Sequence, residues 1–475
     1  MWGTRRPSRR RPTPDEATGA TIQIGGTPTS KPATLVFDQV KDTGLVSTMP
    51  LASLTATEWL DTDGTLQEIL APWIGTLSMA GKTTATPKIA GDLAANLTLT
   101  GLGVTGTVKA TLATATIKGS VPGATWNLTG PVGAITINGA VGEAAASWQL
   151  AGPLTVGTLT LGDVTNAEVT AAGGLGAVKA IRWLDGAIQA TKAASIATTG
   201  LKTAKPPVAG DFAADLTLTG VGLTSKDKTL GSAAIAGRVG AATWDLTGVV
   251  GTLTIAGTVG TVAQPWHLSH PTSLDGLTLG DVTSAVVTVT SDTGAVKAVR
   301  SLDGSITAAK IASITTTGIA GTKTVAAVLG DFAADVTVTG GGLKQVLGTL
   351  TVAGWLDGAV IGSAGPIGTV TVGGMHDSRL TAGDMTTACT SIAGLAVKGL
   401  KGEPLAFINS NVSAWALGMI GLKCVQPNNT GHTPAAFGIK GHTVTGYTRD
   451  GKKYPSKGLP GLVIDHAGDY SVELV

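Results

Sequence analysis

One phrase occurs three times in this chain and limits what the chain can fold into. It reads GDLAANLTLTG at Gly91–Gly101, GDFAADLTLTG at Gly210–Gly220 and GDFAADVTVTG at Gly330–Gly340. The copies begin 119 and 120 residues apart. Because self-similarity at a fixed period is the signature of repeat architectures, the chain is predicted to consist of stacked copies of one long unit.

Other landmarks keep the same period. ATWNLTG and ATWDLTG place Trp126 and Trp244 118 residues apart, and the same spacing separates Trp148 from Trp266. The third copy begins in register and diverges after Gly374. The sequence therefore predicts three repeats of about 118 residues, the last of them irregular.

Each long repeat contains a shorter rhythm of strand-like phrases. Leu97 and Leu99 alternate with threonines, which places the leucines on one face of a strand and the threonines on the other. Similar phrases follow at intervals of 19 to 24 residues and end at glycine, which favours turns. We therefore predict an all-β chain, a parallel β-helix or β-solenoid of about 17–20 coils with a C-terminal cap.

Three separate β-sandwich domains are the alternative to a solenoid, because 118 residues is a suitable length for a sandwich. Short phrases recur inside the 118-residue unit, however, and no Pro/Ser-rich linker separates the copies. Both observations favour the solenoid.

The ends of the chain differ from its middle. Residues 1–33 are rich in Arg, Pro, Thr and Gly and are predicted to be a disordered basic tail. Residues 34–425 are predicted to form the solenoid, and residues 426–475 a C-terminal cap with a hairpin around Tyr447–Tyr454. An insertion at Thr62–Leu70 is expected to form a short helical turn that ends at Pro72.

Composition excludes several classes of protein. The chain has 68 glycines among 475 residues, 13% charged residues and 4% aromatic residues, which is too apolar for a disordered chain and too poor in rings for a large aromatic core. The net charge is +2, and five arginines precede residue 14. The remainder is close to neutral, so no nucleic-acid surface is expected.

No run approaches the roughly 20 apolar residues of a membrane span, and no secretory signal is recognised. An internal location, an export signal upstream of a wrongly chosen start, and a piece of a longer polypeptide all stay open. Cys389 and Cys424 could form a disulfide or remain two buried thiols, and neither has metal-ligand spacing.

Six Gly-Asp pairs suggest a calcium-binding β-roll, which stacks carboxylates in adjacent turns. Their spacing alternates between about 48 and about 71 residues, so neighbouring coils would not supply partner ligands. A turn in which the carboxylate caps backbone N–H groups is the preferred interpretation. The aspartates concerned are Asp92, Asp163, Asp211, Asp281, Asp331 and Asp384.

A charged triplet could suggest a polysaccharide lyase or hydrolase, since such enzymes need close carboxylates or basic residues in a groove. Lys179, Arg182 and Asp185 recur, however, as Lys297, Arg300 and Asp303. Because a catalytic site normally occurs once, an exposed charged corner is the better interpretation. We predict no catalytic, cofactor-binding or metal-binding residues.

Repeated threonine runs and a pair of histidines are two further patterns that could indicate a function. The Thr-x-Thr runs of the long repeat resemble ice-binding solenoids, but such a surface needs threonines in every successive coil, and outward threonine is ordinary in strands. His267 and His270 lie three residues apart in a strand, so they cannot both face one side as metal ligands. The runs are Thr98/Thr100, Thr217/Thr219 and Thr337/Thr339.

Taken together, GDFAADLTLTG, ATWDLTG, TLGDVT, AVKAIRWLDG, SITTTG and FINSNVSAWALG resemble the Gly/Thr-rich repeat regions of large exported proteins of planctomycete-type bacteria. The resemblance covers roughly residues 34–475 and implies a secreted or cell-surface β-solenoid. It carries over no catalytic residues.

The sequence thus leads to three hypotheses. The first is a non-catalytic structural or adhesive solenoid outside the cell or at its surface, with surface or matrix polymers as partners. The second is a polysaccharide-active β-helix enzyme with its site near the irregular third copy. The third is an ice- or surface-binding solenoid.

Overall fold

The computed structural model describes residues 19–105, 108–321, 326–342, 344–386, 388, 390–432, 436–455 and 460–475. These residues form strands and no helix, which confirms the predicted all-β class. Accordingly, the described residues contain no helix long and apolar enough to cross a membrane. The chain divides into two compact units, residues 1–191 and 192–475.

The first unit contains fifteen of the described strands. They are β1 (Thr21–Ile24), β2 (Ala33–Val36), β3 (Gln39–Lys41), β4 (Gly44–Ser47), β5 (Leu51–Ala56), β6 (Glu58–Leu60), β7 (Gln67–Ala71), β8 (Ile74–Met79), β9 (Ala95–Leu99), β10 (Leu112–Ile117), β11 (Thr125–Val141), β12 (Trp148–Val164), β13 (Ala167–Thr170), β14 (Gly174–Trp183) and β15 (Gly186–Ala190).

The second unit contains the other described strands. They are β16 (Lys192–Thr198), β17 (Asp215–Leu218), β18 (Lys228–Ile235), β19 (Thr243–Ile255), β20 (Trp266–Val282), β21 (Ala285–Thr288), β22 (Asp292–Ser301), β23 (Gly304–Ala308), β24 (Lys310–Thr316), β25 (Asp335–Val338), β26 (Leu347–Asp357), β27 (Val360–Ser363), β28 (Ile367–His376), β29 (Arg379–Ala382), β30 (Ser391–Val397), β31 (Phe407–Ile408), β32 (Asn411–Leu422), β33 (Phe437–Arg449), β34 (Lys452–Tyr454), β35 (Val463–Ala467) and β36 (Tyr470–Leu474).

Strands of the first unit pair in parallel with strands one coil further along the chain. On one face the order is β2, β5, β8, β10, β11, β12 and β14. An inward column on this face is apolar and almost completely buried, with Leu51, Ile74 and Leu112 all at 0% exposure. Parallel pairing of successive coils is the pattern of a β-solenoid and rules out antiparallel sandwich domains.

In each of these strands from β5 onward, the residue directly after the one in the inward column is glycine or alanine, and these small residues form a second column. A Cβ atom added at Gly133 would lie 2.2 Å from the carbonyl oxygen of Ala113, and one at Gly176 would lie 1.8 Å from the oxygen of Gly157. The chain of one coil thus approaches the next too closely for a larger side chain. This contact explains why a small residue recurs once per coil at this position.

The second unit repeats the arrangement. β18, β19, β20, β22, β24, β26, β28, β30 and β32 pair in parallel, each with the next in this order. The same small-residue column is present, because a Cβ at Gly251 would lie 1.9 Å from the oxygen of Gly231. The predicted parallel solenoid is therefore found in both units.

Tryptophans of the repeat fill the interior in pairs. The rings of Trp126 and Trp148 meet edge to face with centroids 5.4 Å apart, and those of Trp244 and Trp266 do so at 5.3 Å. All four are fully buried. Their repeat-equivalent positions therefore serve packing, as the sequence indicated.

Two local predictions need correction. The short helical turn expected at Thr62–Leu70 is wrong: the segment forms a turn followed by strand β7, whose Ile69 and Ala71 alternate inward. This alternation buries apolar side chains in the solenoid, which a helical turn would not do. The first strand also lies before residue 34, since β1 pairs in parallel with β4.

The C-terminal segment closes the stack of coils. β33 still pairs in parallel with β32, whereas β34 and β35 add antiparallel strands. The predicted hairpin is confirmed, with Tyr447 opposite Tyr454 and positive φ at both Asp450 and Gly451. Two positive φ values are what a type I′ turn requires.

A buried polar network ties this cap together. The Tyr447 hydroxyl donates to Asp465 at 2.7 Å and lies 2.8 Å from the Tyr470 hydroxyl. Arg449 pairs with the same carboxylate at 3.1 Å. Burial raises the pKa of both tyrosines above the ordinary value, so both hydroxyls stay protonated in the folded state.

The possible disulfide cannot be placed, because Cys389 lies outside the described residues. Cys424 is a half-buried free thiol with positive φ, and its backbone N–H donates to Asp450 at 2.6 Å.

Candidate functional site

The repeated Gly-Asp carboxylates bond to the backbone of a following coil. Asp92 accepts from Ser120 N–H at 2.6 Å, Asp211 from Arg238 N–H at 2.9 Å and Asp331 from Trp355 N–H at 2.8 Å. This is the predicted capping role.

Two other Gly-Asp carboxylates accept from guanidinium groups instead. Asp163 receives two hydrogen bonds from Arg182 at 2.6 and 2.8 Å, and Asp281 receives the same pair of bonds from Arg300. In each case the two residues are direct cross-strand partners. The bond to Asp281 raises the pKa of Arg300, so the guanidinium stays charged.

The predicted charged triplets are therefore not assembled as sites. Arg182 bonds to the carboxylate of Asp163, one coil before it. Asp185 and Asp303 each cap the following glycine N–H at 2.7 Å. Both copies have this geometry, which supports the interpretation of a charged corner that joins coils.

The threonines and histidines singled out in the sequence are dispersed. Thr98 has Asn127 and Leu70 as its neighbours in register, so this run does not continue into adjacent coils, whereas Thr337 has Thr307 beside it in one neighbouring coil. His270 pairs with Asp245 at 2.7 Å, whereas His267 lines a small separate cleft. The described residues show no hydrogen-bond partner shared by the two histidines.

An acidic loop occupies the insertion of the first unit. Asp42, Asp61 and Asp63 have carboxylate oxygens within 4.8 Å of one another, an arrangement that could hold a cation. These carboxylates also shape the loop, because Asp61 accepts from the N–H of Gly64 at 2.8 Å. The Thr62 hydroxyl donates to Asp42 and lowers the pKa of that carboxyl.

A second polar cluster lies in the irregular third copy. Asp357 at the end of β26 contacts Nδ1 of His376 at 2.7 Å, and Asp377 lies 3.4 Å from Nε2 of the same ring. The half-buried Trp355 packs edge-on against His376, with centroids 6.3 Å apart. Two carboxylates thus share one imidazole beside an accessible indole.

Further polar groups extend this cluster toward the cap. Asn409 donates to Asp377 at 2.6 Å and lies 2.8 Å from Nδ1 of His432. The Asn429 amide donates to Asn409 at 2.5 Å. We call Trp355, Asp357, His376, Asp377, Asn409 and His432 the corner stack.

An open cleft of about 420 Å³ lies in the second copy, beside the loop between β17 and β18. Its volume lies in the range of small-molecule sites. Thr224 donates to Asp227 through its N–H at 3.0 Å and its hydroxyl at 2.8 Å, which lowers the pKa of that carboxyl. The polar side chains around the cleft, which we call the hydroxyl cleft, belong to Thr224, Ser225, Asp227, Thr229, Thr272, Ser273, Ser291 and Asp292.

The first copy provides a comparison for the hydroxyl cleft. At 118 residues earlier, Thr272, Ser291 and Asp292 correspond to Leu154, Gly173 and Gly174. The strands that carry them pair in the same register in both copies. These three polar residues are therefore a feature of the second copy relative to the first, whereas Thr229 and Ser273 correspond to Thr111 and Thr155 and belong to the repeat scaffold.

Neither the corner stack nor the hydroxyl cleft was found from the sequence. Their residues are ordinary in type and scattered over 78 and 69 positions, so only the coil register brings them together. The one available signal was departure from the repeat: the divergence after Gly374, and polar residues where the first copy has leucine and glycine.

In comparisons with protein-family models, curated proteins and solved structures, no match to this chain was found. The resemblance to planctomycete repeat regions stays a prediction.

Proposed function

We propose that this protein is a non-catalytic structural or adhesive solenoid that acts outside the cell or at its surface. The observation that supports this proposal is the use of its repeated polar side chains. They bond coil to coil, as the Arg182–Asp163 and Arg300–Asp281 pairs do in equivalent places. A chain that uses its recurring charges on itself is suited to a structural role.

The adhesive part of the proposal rests on the hydroxyl cleft. The hydroxyls of Ser225, Thr272 and Ser273 can donate to a ligand, and the two carboxylates of the cleft can accept. A saccharide presents many hydroxyls that both donate and accept, so a surface or matrix polysaccharide suits this lining. Lys228, next in the chain to Asp227, is already paired with Asp275 at 2.7 Å.

A glycan array probed with the full chain tests adhesion. We expect binding to at least one saccharide. Binding should be lost in a variant carrying the first-copy residues, Thr272→Leu, Ser291→Gly and Asp292→Gly. The matched control is Ser195→Ala in β16, a half-buried hydroxyl outside the cleft. Binding that survives the triple change would remove the cleft from the proposal.

Location is tested separately by fractionating cells that express the native protein. The proposal expects the protein in the surface or medium fraction. Recovery solely with cytoplasmic markers would contradict a surface role.

The corner stack favours polysaccharide cleavage as a second candidate function. Glycosidases use two carboxylates that flank the scissile bond, and an exposed indole can stack on a sugar ring. Asp357 and Asp377 lie on opposite sides of one imidazole beside Trp355. Both carboxylates are engaged by His376, which makes this the weaker candidate.

Product analysis with a panel of polysaccharides decides between the two. Reducing ends or unsaturated sugars that disappear in Asp357→Asn and Asp377→Asn would establish the enzyme and refute the non-catalytic proposal. Absence of products with every polysaccharide would leave the corner stack a structural element.

A further inference from the structure

A regular array of hydroxyl groups covers one face of the first unit. It lies on the outward side of the strands β2, β5, β8, β10, β11 and β12, and two of its positions come from each strand. One column is Thr34, Ser53, Thr76, Thr114, Ala134 and Thr158, and the other is Val36, Thr55, Ser78, Thr116, Thr136 and Thr160.

This array differs from the Thr-x-Thr runs that the sequence suggested. Thr98 of those runs has no threonine beside it in the adjacent coils. Here β5, β8, β10 and β12 each place a hydroxyl residue in both columns, and β11 places Thr136 in one column and Ala134 in the other. The pairings of β5 with β8, of β8 with β10 and of β10 with β11 have no register shift within the array. The array ends where Thr160 meets Lys179 of β14.

The array has lattice-like spacing. Neighbouring strands lie about 4.8 Å apart, and alternate residues of one strand about 6.6 Å apart. Five strand steps therefore span about 24 Å. The hydroxyls are close enough to interact, since Oγ1 of Thr114 lies 3.4 Å from Oγ1 of Thr76.

The chemistry of the array is uniform. It contains hydroxyls and methyl groups, with no charged and no aromatic side chain in either column. Thr34, Thr76 and Thr114 of the first column are exposed, whereas Thr116 and Thr136 of the second column are half-buried. Threonine presents a hydroxyl and a methyl group together. The hydroxyls can hold water molecules in an ordered pattern, and no charged group is present that would bind water more strongly.

We propose that this hydroxyl array binds the surface of ice. A two-dimensional repeat of hydroxyls and methyls fits a lattice of hydrogen-bonded water, since both have regular spacings in two directions. A mineral surface would call for carboxylates or cations, and a saccharide site like the hydroxyl cleft also uses carboxylates. The array has neither. This inference concerns a different face from the hydroxyl cleft and does not depend on the function proposed above.

Ice partitioning of the labelled full chain tests the proposal. Ice is grown slowly from a dilute solution, and the protein content of ice and liquid is compared. We expect enrichment in the ice fraction and altered crystal shape. Exclusion from ice to the same extent as an unrelated protein would overturn the proposal. Binding to crystalline cellulose or to a mineral without binding to ice would overturn it as well.

Variants separate the array from the rest of the surface. Thr136→Lys and Thr116→Lys place a long cation in the middle of the array, and both should lose ice enrichment. The matched control is Thr98→Lys, an outward threonine of β9 whose neighbours are Leu70 and Asn127. It should keep full enrichment.

A milder change keeps the test decisive if a lysine variant misfolds. Thr116→Val keeps the shape and one methyl group but removes a hydroxyl, and its folding can be checked by circular dichroism. Partial loss of enrichment is expected. Retention of full enrichment in all three array variants would place ice binding elsewhere or refute it.

Discussion

The buried tryptophans offer a matched pair for testing how the interior is held together. Trp126 packs edge to face on Trp148 at 5.4 Å, and Trp59 packs in the same way on Phe37 at 6.0 Å. Both Trp126 and Trp59 are fully buried. They differ at Nε1, which donates to the Thr43 carbonyl at 2.9 Å in Trp59 and has no partner among the described residues in Trp126.

Replacing each tryptophan by phenylalanine isolates this difference. Either change removes about 40 Å² of buried apolar surface, which costs about 1 kcal/mol before any cavity term. Trp59→Phe also removes the hydrogen bond from the indole N–H to the Thr43 carbonyl, which costs about 1–3 kcal/mol more. Trp126→Phe instead removes a buried unpaired N–H, and a gain of similar size offsets the lost contact.

We therefore expect Trp59→Phe to destabilise the fold by about 2–4 kcal/mol, and Trp126→Phe to stay within about 1 kcal/mol of the parent. Urea denaturation followed by circular dichroism measures both changes. Peptide-resolved hydrogen exchange should place them in the coils concerned, because solenoid stability is largely a sum over neighbouring coils. Equal destabilisation by the two substitutions would refute the reasoning about the indole N–H.

Three further predictions follow from other buried or bonded groups. Thr293 has a buried hydroxyl with no hydrogen-bond partner among the described residues, and it faces inward where the first copy has Leu175. Thr293→Val should therefore raise the urea midpoint of unfolding by the equivalent of about 1 kcal/mol. A lowered midpoint would contradict this account. Asp331→Ala should cost about 1–2 kcal/mol of stability, because the backbone N–H of Trp355 loses its acceptor. Asp331→Asn should recover most of this loss in thermal unfolding, since its amide oxygen can still accept. Burial raises the pKa of Tyr447 and Tyr470, so above a pH of about 10 the folded state keeps protons that the unfolded state releases. The stability of the cap should therefore be complete below that pH and fall above it by up to about 1.4 kcal/mol per pH unit for each tyrosine. Tyr447→Phe should reduce this slope in thermal melts, and absence of the slope in the parent would argue against the buried network.

The sequence predicted the fold well because the fold depends on periodic features. Alternation such as Leu97-Thr98-Leu99 predicted which side chains face inward, and the burial pattern agrees. Glycine and aspartate at fixed offsets predicted the corners and their capping carboxylates. Asp450-Gly451 predicted the hairpin of the cap, since few residue pairs adopt two positive φ angles.

The insertion at Thr62–Leu70 was predicted incorrectly for a physical reason. Its composition suits a helical turn, but Ile69 lies in register with Leu45 and Leu97 of adjacent coils. Burial against both neighbours outweighs the weak local preference. Only the register, which is non-local, reveals this.

The candidate sites needed the register in the same way. Thr76 and Thr114 are separated by 38 residues but lie side by side in the array, because the segments between β8 and β9 and between β9 and β10 both lengthen that coil. Coil lengths differ along the chain, so a fixed period does not align these threonines. The small-residue column that precedes them, as in IGTLSM and VGAITI, marks the face in each coil and could have revealed it.

The distance between two positions on the hydroxyl array tests the central claim most directly. Thr34→Cys and Thr158→Cys, with Cys389 and Cys424 changed to serine, allow two nitroxide labels to be placed five strand steps apart. Pulsed electron spin resonance should give a narrow distribution near about 24 Å plus the reach of the labels. A broad distribution, or a mean well beyond that distance, would contradict the parallel register and the array that depends on it.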